Sequence, residues 1–156
     1  MSAAEPLLPP GQHGTGQGVT LAIRQATLHE LFVSIPPGTT APLHGGEAWW
    51  MAPGRVLLVD GTPPPDVIDQ SGGFAMLRLG GPAASDVLAR ICRVELWEGS
   101  VARTPMAQTS TLVHRHAEGY DILVPSTLAH SFARHLLHLA TGFGCVVLPP
   151  ILRDSV

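Results

Sequence analysis

The chain has 156 residues, 45% of them hydrophobic and 13% charged, with a net charge of −3. That length suits one domain around one core, and a charge content well under the ~25% of an average soluble domain leaves part of the surface suited to a partner chain rather than water. All nine basic residues are Arg and they are scattered, which excludes the basic patch of a nucleic-acid binder, while the absence of Lys excludes a Walker A loop and a pyridoxal-phosphate Schiff base.

Residues 1–18 carry Pro9-Pro10 and the glycines 11, 14, 16 and 18 with few large apolar residues, and read as a flexible N-terminal arm. The glycines do not fit G-x-G-x-x-G, and no strand precedes them. Residues 19–156 form the single domain. Its first strand is predicted at 19–23, and a second apolar run spans 28–35, stopped by Pro36-Pro37-Gly38. Residues 36–46 read as a loop. A short strand at 48–51 and another at 55–59 flank the Pro53-Gly54 turn, and Pro63-Pro64-Pro65 makes a stiff, solvated connection.

The second half is more regular. Residues 73–79 read as a strand with Phe74, Met76 and Arg78 on one face. Gly80-Gly81 turns, and Pro82 suits the first position of a helix with Val87, Leu88 and Ile91 on its apolar stripe. Residues 94–97 are a connector. A hairpin follows, with strands at 108–115 and 120–124. Ser126 is the expected N-cap of a helix over 127–141, with Leu128, Phe132, Leu136 and Leu139 on one face and Gly142 as its C-cap. A last strand is predicted at 145–148. The order strand, helix, strand, strand, helix, strand is a split β-α-β pattern. It predicts an α+β fold with a mostly antiparallel sheet and helices on one face.

Chemistry is harder to find. Eight His invite a metal site, but His130 and His138 flank Arg134 on one helix face, and no acid completes a set with His114 and His116. The bland reading is surface and interface histidines. No G-x-S-x-G elbow is present, Ser85 and Ser131 lie within helices, and Asp66 and Asp69 read as solvated loop acids. Cys92 and Cys145 form no C-x-x-C, and Cys92 reads as a core residue. No catalytic, cofactor-binding or metal-ligating residue is predicted. In the adjacent pair Trp49-Trp50 one ring faces the core and the other is free for a partner. No apolar run approaches the ~20 residues of a membrane span. The first residues lack a basic n-region and an apolar core, so a cytoplasmic protein is expected.

Three segments together resemble a known family. Ala48-Trp49-Trp50-Met51-Ala52-Pro53-Gly54-Arg55-Val56-Leu57-Leu58 resembles the W-L-G-P-D-E-W-L-L stretch of the aminomethyltransferase-like folate-binding superfamily. It departs at Arg55, where an acidic residue is usual, and at Val56, where that family has Trp. Residues 75–89, from Ala75-Met76-Leu77-Arg78-Leu79 through Gly80-Gly81-Pro82 to Ala89, resemble its L-R-L-S-G-P-x-A-x-x-V-L-A strand–turn–helix. Ala102-Arg103-Thr104-Pro105-Met106-Ala107-Gln108, with Leu112-Val113-His114-Arg115 and Tyr120-Asp121-Ile122-Leu123-Val124, is similar to a pattern found particularly in the gamma subunit of heterotetrameric sarcosine oxidase. The resemblance spans roughly residues 48–141.

It implies an accessory subunit of a complex that oxidatively demethylates sarcosine or a related N-methyl amino acid. FAD, FMN, NAD and tetrahydrofolate would be used on other subunits, and zinc would sit on delta. The partners would be the alpha subunit, against which gamma packs, with beta and delta. The interface anchors it points to are Trp49, Trp50, Arg103 and Gln108. The competing reading is a freestanding folate or small-anion binding module using His114, Arg115 and His116. An independent aminomethyltransferase would need several such domains.

Overall fold

The computed structural model describes residues 7–152. Eleven strands run in chain order: β1 Gly11–His13, β2 Val19–Arg24, β3 Leu28–Leu31, β4 Thr40–Leu43, β5 Gly46–Ala52, β6 Arg55–Val59, β7 Phe74–Gly80, β8 Val101–Met106, β9 Thr109–His116, β10 Gly119–Pro125 and β11 Cys145–Val147. Two helices, α1 (Ala84–Ala89) and α2 (Ala129–Thr141), complete the framework. The strands form a seven-stranded sheet in the order β1-β11-β2-β7-β10-β9-β8 and a four-stranded sheet in the order β3-β6-β5-β4. All neighbours are antiparallel except β11 and β2, so the fold is α+β with mostly antiparallel sheets.

Strand alternation sorts the core into layers. On the large sheet Leu21, Leu77, Leu79, Ile122, Val124 and Val113 face α1 and α2, where Val87, Phe132, Ala133 and Leu136 meet them. Their alternates Met76, Leu123, Leu112 and Val101 face the small sheet and pack on Leu28, Trp49, Leu57 and Val59. Each fully buried aliphatic side chain contributes roughly 1.5–3 kcal/mol of burial. The small sheet's outer face, with Leu31, Ala48, Val56 and Leu58, is covered by Ile35 and Val67 from the loops and by Leu43 at the end of β4. The expected helices on one face are therefore present, and a second sheet occupies the other face.

Several expectations need correction. The arm is not free over its whole length. Residues 11–13 pair with β11, and Leu8 is buried in the helix-side core, so the domain reaches back to at least residue 7. Residues 1–6 and 153–156 lie outside the described residues. The 36–46 loop contains β4, and 101–106 is a strand. Both carry a proline, Pro42 and Pro105, and both are sheet edges, where the missing N–H is tolerated. Ser126 does not cap α2. Its hydroxyl donates to the Gly72 carbonyl, residues 126–128 form a 3-10 turn, and α2 begins at Ala129. Gly142 is the C-cap of α2 as expected, but in right-handed backbone at φ −62°, and it is Gly144 that takes the positive φ, 76°. There an added Cβ would lie 2.3 Å from the Thr15 carbonyl oxygen. Pro82 precedes α1 by a turn rather than opening it.

Candidate functional site

The layer between the sheets is apolar through most of its extent and charged at one end. Register explains the switch. Ala22, Arg78, Asp121 and His114 are successive cross-strand partners on β2, β7, β10 and β9, so one transverse row of the sheet is mostly polar. Arg24, two residues beyond Ala22 on the same face, reaches into it. From the opposite sheet come Asp60, just after β6, and Glu47 of β5.

Asp121 is the centre. Its side chain is 2% exposed. Oδ1 accepts from Arg78 Nε at 2.8 Å, and Oδ2 accepts from Arg78 Nη2 at 3.0 Å and from Arg24 Nη1 at 2.8 Å. The Arg78 pair is bidentate, the strong and orientation-specific arrangement. Arg24 Nη2 also donates to Asp60 Oδ2 at 2.9 Å, and Asp60 Oδ1 accepts the Thr27 N–H at 3.0 Å. The chain thus links β2, β7 and β10 of one sheet to the end of β6 in the other. Its two guanidiniums balance its two carboxylates.

Two histidines flank this network. His116 Nδ1 accepts the Glu118 N–H at 3.2 Å, which assigns the ring proton to Nε2. That Nε2 lies 3.4 Å from Asp121 Oδ1, close enough for attraction and misaligned for a hydrogen bond. His114 is buried, and its Nδ1–H donates to the Ser100 carbonyl at 3.0 Å. Glu47 Oε1 accepts Trp49 Nε1–H at 2.7 Å and stands 3.4 Å from His114 Nε2. Burial opposes the charge on Asp121. The contacts with His116 and Arg78 and the charge of Arg24 outweigh it and hold the carboxyl well below the usual range. The Asp121 hydrogen bond raises Arg78 above its ordinary value. An acid held permanently ionised and saturated by guanidinium donors is a poor proton carrier. The arrangement fits an inter-sheet latch.

The sequence-predicted anchors fall in different settings. Trp49 is wholly buried between the sheets and presents no surface. Trp50 is half-buried at the rim of the same cluster, where the β5–β6 register shifts. Arg103 is exposed on edge strand β8 and lines a 250 Å³ cleft at the sandwich's apolar end, with Met51, Leu57, Phe74 and Leu112. Gln108 is exposed in the β8–β9 turn with φ 62°. His114, Arg115 and His116 do not converge as an anion site. Arg115 alternates to the helix side, where it donates to the Leu96 carbonyl at 2.6 Å. Among the described residues no group of three or more His, Cys, Asp or Glu could hold a metal ion. Sequence reasoning missed the Asp121–Arg24–Asp60 connection. The available signal was two charges, Arg78 and Asp121, at inward positions of otherwise apolar strands.

A three-layer α+β domain of this kind is known from solved structures. The chain matches a chain of the heterotetrameric sarcosine oxidase from Corynebacterium sp. U-96, solved in complex with pyrrole 2-carboxylate. The TM-score is 0.72 at 20% identity, over 84% of this chain and 88% of that one. Protein Atu0741 from Agrobacterium tumefaciens aligns over 90% of this chain with a TM-score of 0.45 and 16% identity. No protein-family model and no curated protein sequence matches. The fold is therefore that of a subunit of a heterotetrameric sarcosine oxidase. No helix among the described residues is long and apolar enough to cross a membrane.

Proposed function

We propose that this chain is the gamma-type accessory subunit of a heterotetrameric sarcosine-oxidase-like complex in the cytoplasm. The complex would oxidatively demethylate sarcosine or a related N-methyl amino acid, with FAD, FMN, NAD and tetrahydrofolate held by other subunits. This chain's part is assembly: it packs against the alpha subunit, alongside beta and delta. The observation that carries the reading is the fold likeness, which covers 88% of the matched sarcosine oxidase chain. The charged residues gathered between the sheets support a structural role, because they are committed to one another.

On this reading the exposed guanidinium of Arg103 pairs with a carboxylate of the alpha subunit, and the half-buried Trp50 adds an apolar contact. Affinity purification of the tagged full chain from its native source, with identification of the proteins that co-purify, tests the proposal. The expected result is a stoichiometric complex whose yield falls in Arg103→Ala. Absence of flavoprotein partners would sink the proposal, and an unchanged yield in the variant would remove Arg103 from it.

A further inference from the structure

On the far side of the large sheet, away from the latch, α1 and the connector at 90–97 leave a cleft of about 370 Å³ against the turn end of the β9–β10 hairpin. Its polar lining is mostly donors. Arg115 of β9 and Tyr120 of β10 are cross-strand partners, and the Arg115 guanidinium lies over the Tyr120 ring at 5.7 Å. Only one bond of Arg115's side chain is committed, Nη1 to the Leu96 carbonyl at 2.6 Å. Among the described residues neither Arg115 nor Arg93, at the lip, has a carboxylate partner. The Tyr120 hydroxyl, on a side chain almost entirely buried, lies 3.0 Å from Ser85 Oγ of α1. One hydroxyl hydrogen of that pair makes their mutual bond, and the other is left to donate. Glu95 is the one carboxylate of the lining, against two arginines, while Leu88 and Leu96 supply an apolar floor.

A half-buried guanidinium held in place by a carbonyl and an aromatic face, with four N–H groups unspent, is prepared for a planar or tetrahedral oxyanion. We propose that this cleft is a binding site for a small organic oxyanion, a carboxylate or phosphate ester. Its charged end sits on Arg115 and the Ser85–Tyr120 hydroxyls, its body lies on Leu88 and Leu96, and Arg93 closes over it. The site is separate from the subunit role proposed above and does not depend on it.

Titration of the ¹⁵N-labelled full chain with sodium benzoate, and separately with inorganic phosphate, tests this by amide chemical shifts. Saturable shifts are expected at Ser85, Leu88, Arg115 and Tyr120. Tighter benzoate binding assigns the site to carboxylates with an apolar body, and tighter phosphate binding assigns it to phosphorylated ligands. Arg115→Gln should weaken binding at least about tenfold and Arg93→Gln a few-fold, the scale of a lost charge-assisted bond. Arg134→Gln, on the exposed face of α2, should leave it unchanged. Because Arg115 also anchors Leu96, Arg93→Gln and Ser85→Ala stand in should Arg115→Gln fail to fold. Shifts that do not saturate below about 50 mM, or that persist unweakened in the folded variants, would overturn the proposal.

Discussion

Replacing Asp121 by Asn keeps the size of the side chain and removes its charge. The carboxylate takes three guanidinium hydrogen bonds of 2.8–3.0 Å at a site 2% exposed. After substitution Arg24 retains Asp60 at 2.9 Å, but Arg78 retains only Glu118 at 4.0 Å, and Glu118 is 81% exposed. Arg78 becomes the stranded charge, and the Asn amide adds a donor facing donors. Breaking a buried pair costs about 3–5 kcal/mol. Here the arginine side chains are 19% and 26% exposed and can turn toward water, which lowers the expected loss to roughly 2–4 kcal/mol. For a domain of this size that corresponds to a Tm lower by about 5–12 °C.

The pH dependence supplies a second, independent readout. Asp121's folded pKa lies below its unfolded value near 3.9. Its stabilisation is therefore fully present above that unfolded value, and it is lost as pH falls toward the folded pKa. Urea unfolding followed by tryptophan fluorescence at pH 7 and at about pH 3.5 measures both effects. The wild type should lose stability on acidification more steeply than Asp121→Asn. A loss under about 1 kcal/mol at pH 7, or an acid slope identical in both proteins, would refute the latch.

Trp49→Ala should cost about 3–5 kcal/mol, because a wholly buried indole leaves a cavity and Glu47 loses its donor. Chemical denaturation at neutral pH checks this, and a loss below ~1.5 kcal/mol would mean the inter-sheet layer repacks freely. The Cys145 thiol, wholly buried and pushed by burial up to about 11, should resist iodoacetamide at pH 8 in the native protein and react on unfolding. Peptide mass spectrometry after labelling distinguishes the two states, and rapid native labelling would contradict the burial.

Central elements, whose apolar residues meet a packed layer, were legible in the sequence. The alternation of Leu77 with Met76 and of Ile122 with Leu123 gave β7 and β10 to within two residues, and Phe132 and Leu136 gave α2. Strands at edges were not. β4 and β8 each contain a proline, and neither needs a continuous apolar face. The N-terminal strand was hidden by glycines that, read singly, look like an unstructured arm. Of the latch, Arg78 could be placed on the correct face, but pairing it with Asp121 required the β7–β10 register, and pairing Arg24 with Asp60 required the second sheet. Side chains from separate sheets meet through topology, which local pattern does not encode. Arg115 shows the converse error: grouped with its neighbours His114 and His116 by sequence, it points to the opposite face.

The position of β11 has a consequence for how this protein reaches its native state. That strand lies between β1 and β2, antiparallel to one and parallel to the other. The first two strands of the domain therefore never touch as sheet neighbours. They wait for a segment more than a hundred residues downstream to slot between them, Cys145 against Val19 and Val147 against Gly11. Closing such a loop is entropically slow. During synthesis the β2 edge stays open until the ribosome has released residues 145–147, and in that interval it is a template for mispairing with other chains. Deletion of the β11 segment would thus do more than shorten an edge: it would set β1 loose and expose the row of backbone groups on β2 that β11 normally occupies.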